Sequence, residues 1–180
     1  MSDRIVFYGD SITAGFTLLN EHDNIVNLGV GGDKTIELIG RFVSVIRARP
    51  TKLFIMIGTN DFLVNKRHWQ EYIHIDYEVM IDALITLIQD NLKDTDVYFI
   101  SIPPVRLDER YDNALVNREI AAWNAWLKGH VEELGFTYVD VSVALKDDTG
   151  AIAAACTTDG VHLSETGYRI YHDVISPYFD

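Results

Sequence analysis

The sequence predicts an α/β fold in which a parallel sheet carries helices on both faces. Short apolar runs rich in β-branched and aromatic residues recur at Ile5–Tyr8, Ile25–Leu28, Leu53–Ile57, Val97–Ile102 and Phe136–Val141, as expected of strands buried on both faces. Between them the hydrophobic period lengthens to that of a helix, so strand and helix alternate about five times. Polar segments containing glycine follow the strands, at the ends where such sheets place their binding sites.

The elements follow in order. After the second run, Ile36, Ile39, Phe42, Val43 and Ile46 fall at helical spacing and stop at Arg47, Arg49 and Pro50. Basic residues suit a helix C-terminus, and proline prevents continuation. Tyr77, Met80, Ile81, Leu84, Ile88 and Leu92 mark a second helix after the third run. Val116, Ile120, Trp123, Leu127, Val131 and Leu134 mark a third, and Gly135 stops it. The tail carries Tyr168, Tyr171 and Ile175 on one face, with Ser164 as N-cap and Glu165 in the first turn. No linker, repeat or low-complexity tract divides the 180 residues, so one domain over 1–180 is expected.

With 27 Asp+Glu against 15 Lys+Arg the formal charge is −12, which argues against nucleic-acid and anionic-membrane partners. No apolar run approaches the ~20 residues of a membrane span, and the start lacks the apolar core of a signal peptide. The lone Cys156 forms no internal disulfide. A cytoplasmic protein is the expectation.

Chemistry is concentrated in the polar segments. Gly9-Asp10-Ser11 follows the first strand, Asn27 to Asp33 the second and Gly58-Thr59-Asn60-Asp61 the third, while Asp159-Gly160-Val161-His162 precedes the last helix. Asp159 and His162 stand three apart, so in a turn the carboxylate orients one imidazole nitrogen and leaves the other facing a cleft. The alternative is a capping Asp beside a surface histidine. His22, His68, His74, His130 and His172 lack any comparable setting and read as structural or exposed. Ser11 is the nucleophile candidate, because Gly9 permits the tight turn that exposes a hydroxyl after a buried strand. The amide of Gly32 and the carboxamide of Asn60 are suitable oxyanion donors, although either residue also serves an ordinary loop.

Other readings of these segments fail. Gly29–Thr35 resembles a phosphate loop, but Asp33 separates the glycines from Lys34, and the dinucleotide fingerprint fails at the same place. Neither a Cys pair nor a His-Glu-x-x-His helix is present for zinc, and a magnesium cluster of Asp10, Asp61 and Asp159 is poorly supported. The Gly-x-Ser-x-Gly elbow of the α/β-hydrolases is also missing.

Gly-Asp-Ser at 9–11, Asn-x-Gly-x-x-Gly at 27–32, Gly-Thr-Asn-Asp at 58–61 and Asp-Gly-Val-His at 159–162 resemble, in order and spacing, the conserved blocks of the SGNH hydrolases, or GDSL esterase/lipase family. Ile12 replaces the leucine of the name motif, and Leu163 follows the histidine where many members carry proline. The resemblance implies a flavodoxin-like three-layer α/β/α sandwich with a five-stranded parallel sheet. It implies Ser11 as nucleophile, His162 as general base, Asp159 as orienting acid, and an oxyanion hole of the Ser11 and Gly32 amides with the Asn60 side chain. It also implies ester hydrolysis with neither metal nor organic cofactor.

The expectation is therefore a short-chain ester hydrolase acting on a small-molecule ester, such as an O-deacetylase of a sugar or small metabolite. A lysophospholipase or acyl-thioesterase of the same family, and a non-catalytic binding module on the same scaffold, are the alternatives. Phe16, Phe62 and Val161, with Leu18 and Val105, are candidates for an acyl pocket. Asp10, Asp33, Asp61 and Asp159 fall inside the blocks, which predicts a negative cleft mouth that disfavours anionic acyl groups.

Overall fold

A computed structural model describes residues 3–67 and 77–179, without the side chains of 64–67. Its sheet has five parallel strands, β1 (Ile5–Gly9), β2 (Ile25–Gly29), β3 (Lys52–Met56), β4 (Asp96–Ile100) and β5 (Thr137–Val139), in the order β2-β1-β3-β4-β5. Each coincides with one of the apolar runs of the sequence, shifted by a residue or two at the ends. The helices are α1 (Ser11–Ala14), α2 (Thr35–Gly40), α3 (Val43–Ala48), α4 (Thr59–Arg67), α5 (Tyr77–Asn91), α6 (Asn113–Glu133), α7 (Ser142–Leu145) and α8 (Glu165–Ile175).

Alternation along the strands sends successive side chains to opposite faces and so builds two cores. Val6, Tyr8, Leu53, Ile55, Val97 and Phe99 meet residues of α2 to α6 on one face. Ile5, Phe7, Phe54, Met56, Ile100 and Val139 meet residues near α1, α7 and α8 on the other. β1 and β3 are fully buried, whereas the edge strand β2 is half-buried along its whole length.

One predicted helix is corrected. The stretch expected to run from Ile36 to Ile46 is two short helices with a break after Gly40, and Ile36, Val43 and Ile46 are exposed. The buried face is Leu38, Phe42, Val45 and Ala48. At the break Arg41 leaves the helical register and turns its side chain beneath the sheet ends, a destination invisible to hydrophobic periodicity. Ser164 caps α8 as expected, its hydroxyl accepting from the Gly167 N–H at 3.1 Å.

Helix α6 carries a feature that periodicity hid. Asn117 and Asn124 lie in its buried stripe with Ile120, Leu127 and Val131, and Asn113 opens the same row. Each carboxamide makes a two-bond bridge to one residue of the extended segment after β4. Asn124 bonds the N–H and C=O of Ile102 at 2.8 and 2.9 Å, and Asn117 those of Val105 at 2.8 Å each. Asn113 does the same for Leu107 at 2.7 and 2.8 Å. A segment with no strand beside it thereby satisfies backbone groups that would otherwise be buried unpaired.

The strand order reverses between β1 and its neighbours, because the chain first steps to β2 and then crosses back to β3. Clefts in open α/β sheets form at such switch points, outside the carboxyl ends of the strands. Gly9 pairs in register with Gly29 and Met56, so the loops leaving β1, β2 and β3 start level with one another. Among the described residues no helix is long and apolar enough to cross a membrane.

Candidate active site

At the end of β1, Asp10 caps α1 by accepting from the Ile12 N–H at 2.9 Å, and Ser11 takes the first helical position. The turn is tight enough that a β-carbon on Gly9 would collide with the Met56 carbonyl and the Thr13 hydroxyl. Ser11 is thereby presented, half-buried, above the sheet. Its backbone N–H, at the start of a helix, is one of the donors that helical bonding leaves unused.

His162 lies against Ser11 although the two are 151 positions apart, with Ser11 Oγ 2.9 Å from His162 Nε2. On the other side of the ring, His162 Nδ1 is 2.7 Å from Asp159 Oδ2. With Nδ1–H donating to the carboxylate, Nε2 is left as the acceptor for the serine proton. Asp159 Oδ1 also accepts from the N–H groups of Val161 and His162, at 3.0 and 2.8 Å. Partial burial raises the Asp159 pKa, but the imidazole and these two N–H donors outweigh it and hold the carboxyl at about 2.

The loop bearing this pair is anchored at Gly160. Its N–H donates to Thr157 Oγ1 at 2.8 Å, and its carbonyl accepts from the Arg106 N–H at 2.7 Å. With φ of +90° and the Arg106 carbonyl where a β-carbon would stand, the position admits only glycine without displacement. The loop of Asp159 and His162 thus docks on the segment that the asparagines of α6 hold in place.

After β2, the Asp33 N–H donates to the Val30 carbonyl at 3.3 Å, closing a turn in which Gly32 has φ of +84°. That third position of a type II turn favours glycine. The turn passes beside Ser11, since a β-carbon on Gly31 would lie 3.9 Å from its Cβ. After β3, Asn60 Nδ2 donates to the Asp33 carbonyl at 2.9 Å, which fixes the carboxamide and leaves its second N–H available. The segments carrying Ser11, Gly32, Asn60, Asp159 and His162 therefore meet at one point.

A cleft of about 610 Å³ opens there, lined by Asn60, Leu63, Leu107, Tyr111, Val161 and His162 together with Asp108, Arg110 and Asp159. Of the acyl-pocket candidates, only Val161 lines it. Phe16 and Phe62 are core residues, 1% and 3% exposed. Phe16 packs against Phe7, Tyr168 and Tyr171, and Phe62 edge-on against Trp123, because each belongs to the inward face of its segment. Val105 is buried and Leu18 packs on the core beneath α8. Leu63, Leu107 and Tyr111 were missed. The last two sit on the loop leading into α6, whose course depends on the asparagine bridges.

The expected negative mouth is also corrected. Asp10 is fully buried, and loss of hydration pushes its carboxyl up to about 7. Asp33 is buried against Arg41, and Asp61 accepts from the Thr35 N–H at 3.1 Å, with burial again raising its pKa. Three of the four acids therefore hold loops together, and only Asp159 faces the cleft. A carboxylate in a Gly-containing block is as useful for tying down N–H groups as for field, and the sequence does not separate the two uses. Among the described residues no three His, Cys, Asp or Glu side chains are placed to hold a metal ion. Of the other histidines, His130 bonds Asp82 at 2.6 Å and His22 stacks on His172, while His68 and His74 lie outside the described residues.

Comparison with known proteins bears on the fold and the family. A protein of Streptococcus pneumonia provisionally described as a platelet activating factor is 27% identical, with a TM-score of 0.81 over 100% of this chain and 85% of that one. A GDSL-like lipase of Bacteroides thetaiotaomicron is 23% identical, with a TM-score of 0.83 over 99% and 88% of the two chains. An acetylxylan esterase of Geobacillus stearothermophilus is 20% identical, with a TM-score of 0.74 over 98% and 94%. These last two likenesses establish the fold alone. No curated protein matches the chain significantly. The model of the GDSL-like lipase/acylhydrolase family matches residues 7–170, nearly the whole length, and the chain belongs to that family.

Proposed function

We propose that the protein is a serine esterase that hydrolyses short-chain carboxylic esters of polar alcohols through an acyl-enzyme, with O-deacetylation of a sugar or small metabolite as the leading case. The observation that carries the reading is the relay from Ser11 Oγ through His162 to Asp159, at 2.9 and 2.7 Å. His162 Nε2 takes the hydroxyl proton as Ser11 Oγ attacks the ester carbonyl, and Asp159 stabilises the imidazolium that forms. The negative charge on the carbonyl oxygen is met by the N–H groups of Ser11 and Gly32 and by the free N–H of Asn60. His162 then returns its proton to the leaving alcohol. In the second half it removes a proton from water, which attacks the acyl-enzyme and releases the acid.

The shape of the cleft supports a short acyl group. Among the described residues its apolar lining is Leu63, Leu107 and Val161, while the aromatic candidates for a deeper pocket are consumed by the core. Asn60, Tyr111 and the Asp108–Arg110 pair offer hydrogen bonds to a hydroxyl-bearing alcohol. A series of p-nitrophenyl esters from acetate to decanoate tests the reading, with Ser11→Ala as control. Turnover is expected to fall beyond butyrate, and Ser11→Ala to lose about 10⁴-fold or more in kcat with its melting temperature intact. Turnover that rises with chain length would instead indicate a lysophospholipase or long-chain thioesterase. Undiminished activity in Ser11→Ala would remove the mechanism altogether.

A further inference from the structure

Arg41 lies outside every motif of the site, yet its guanidinium touches two of the three strand-end segments that carry the nucleophile and the oxyanion donors, and reaches the third through Asp33. Nη2 donates to the Gly9 carbonyl at 2.9 Å, two residues before Ser11. Nη1 donates to the Leu28 carbonyl at 2.8 Å, where the chain enters the turn of Gly32. Nε donates to Asp33 Oδ2 at 2.6 Å, one residue beyond Gly32, and the Asp33 carbonyl is the acceptor that fixes Asn60. From below, the Tyr8 ring supports the guanidinium, whose central carbon lies 4.4 Å from the ring centroid. Tyr8 is itself held by donating to the Leu38 carbonyl at 2.5 Å.

Resting on the reading of Ser11, Gly32 and Asn60 as nucleophile and oxyanion donors, we infer that Arg41 is a positioning residue that sets their mutual spacing. The stereochemistry favours this role over charge compensation alone. A carboxylate as buried as Asp33 needs a cation, and a lysine would satisfy that need. A single ammonium does not reach two carbonyls on adjacent strands and a carboxylate in one plane, whereas a guanidinium presents its donors as a rigid fork. The side chain is three-quarters buried, so these bonds are shielded from competing water. Its position also accounts for the break between α2 and α3, since a continued helix would carry Arg41 away from the strand ends.

Oxyanion donors act on the transition state more than on the ground-state carbonyl, so the predicted signature lies in kcat. The test compares Arg41→Lys and Arg41→Ala with wild type on p-nitrophenyl acetate, with melting temperatures and the rate of Ser11 labelling by a fluorophosphonate measured in parallel. The expected result is a kcat lower by about 10- to 100-fold in both variants, approaching the loss of one oxyanion donor, with KM changed less than about threefold. Arg41→Lys restores the charge and stability but not kcat, and methylguanidinium added to Arg41→Ala recovers part of kcat saturably. If Arg41→Ala fails to fold, the Lys variant decides alone. A folded Arg41→Lys with kcat within about twofold of wild type, or a loss expressed wholly in KM, overturns the proposal. Absence of wild-type hydrolysis and Ser11 labelling is a different result, which overturns the esterase reading itself.

Discussion

The two halves of the site are built on opposite plans. The side that carries Ser11, the proposed nucleophile, rests on buried ionic supports. Asp10 is wholly inaccessible, Asp33 is paired with Arg41, and Ser11, Gly32 and Asn60 stand on loops that begin level at adjacent strand ends. The side that carries His162, the proposed base, is exposed and bound by neutral groups. The His162 and Asp159 side chains are 47% and 53% exposed, and their loop reaches the body through backbone bonds at Gly160 and the carboxamides of α6. The contrast follows the chemistry. Oxyanion donors must not move when charge develops, whereas an imidazole must exchange protons with substrate and water and has to stay wet on one edge.

After loss of Ser11 itself, breaking the nucleophile side at its one side-chain donor gives the largest expected effect. Asn60→Ala should lower kcat by about 10² to 10³, or roughly 2.7–4 kcal/mol, with little change in KM. Steady-state kinetics on p-nitrophenyl acetate checks this, and a change confined to KM would assign Asn60 to ground-state binding. Gly160→Ala breaks the base side instead. Strain at φ of +90° and the collision with the Arg106 carbonyl should cost about 2–4 kcal/mol in urea unfolding and move His162 away from Ser11. Gly32→Ala is the matched control in stability, since a β-carbon there meets nothing within 4 Å and only about 1–2 kcal/mol of backbone strain is expected.

Asn117→Ala asks whether the asparagine row positions the base from a distance. It leaves the buried N–H of Val105 without its partner, at a cost of about 1–3 kcal/mol, and should lower kcat by less than Gly160→Ala does. Denaturant titration and kinetics on one preparation give both numbers. A stability loss with kcat untouched would show that the row supports the fold alone.

The effect expected of Asp10 appears only as pH changes. Its carboxyl is raised to about 7 in the folded state by burial, while in the unfolded chain it ionises near 3.8. The folded state therefore holds a proton that the unfolded chain releases, and this group's contribution to stability falls as pH rises from about 4 to about 7. Asp10→Asn keeps an acceptor for the Ile12 N–H and should remove that decline, by at most about 1.4 kcal/mol per pH unit. Unfolding measured at pH 4.5, 6 and 8 should show the variant gaining on wild type as pH increases. Asp159 has the opposite sign. Its carboxyl, held at about 2, adds stability above its unfolded range that is lost as pH falls through 2.

Much of this was legible in the sequence. All five strands carry their own apolar run, and the residues meeting at Ser11 lie in segments that the parallel topology brings to one edge. What stayed hidden depends on direction rather than composition. Ile36, Val43 and Ile46 have the spacing of a buried stripe, but the break at Arg41 resets the phase and leaves them in solvent. Phe16 and Phe62 sit beside the motifs in the chain yet point into the cores, and Asp10, Asp33 and Asp61 turn inward to bind N–H groups or a guanidinium. Asn117 and Asn124 did leave a signal, as carboxamides in phase with Ile120, Leu127 and Val131 on a buried helix face.

The most direct test of the account is to catch the acyl-enzyme. Wild-type protein mixed with p-nitrophenyl acetate and quenched within the first turnover should carry one acetyl group per chain, on the peptide containing Ser11, and His162→Ala should carry almost none at the same time. An acetyl group on another residue, or equal labelling in wild type and His162→Ala, would contradict the central claim that His162 activates Ser11 for attack.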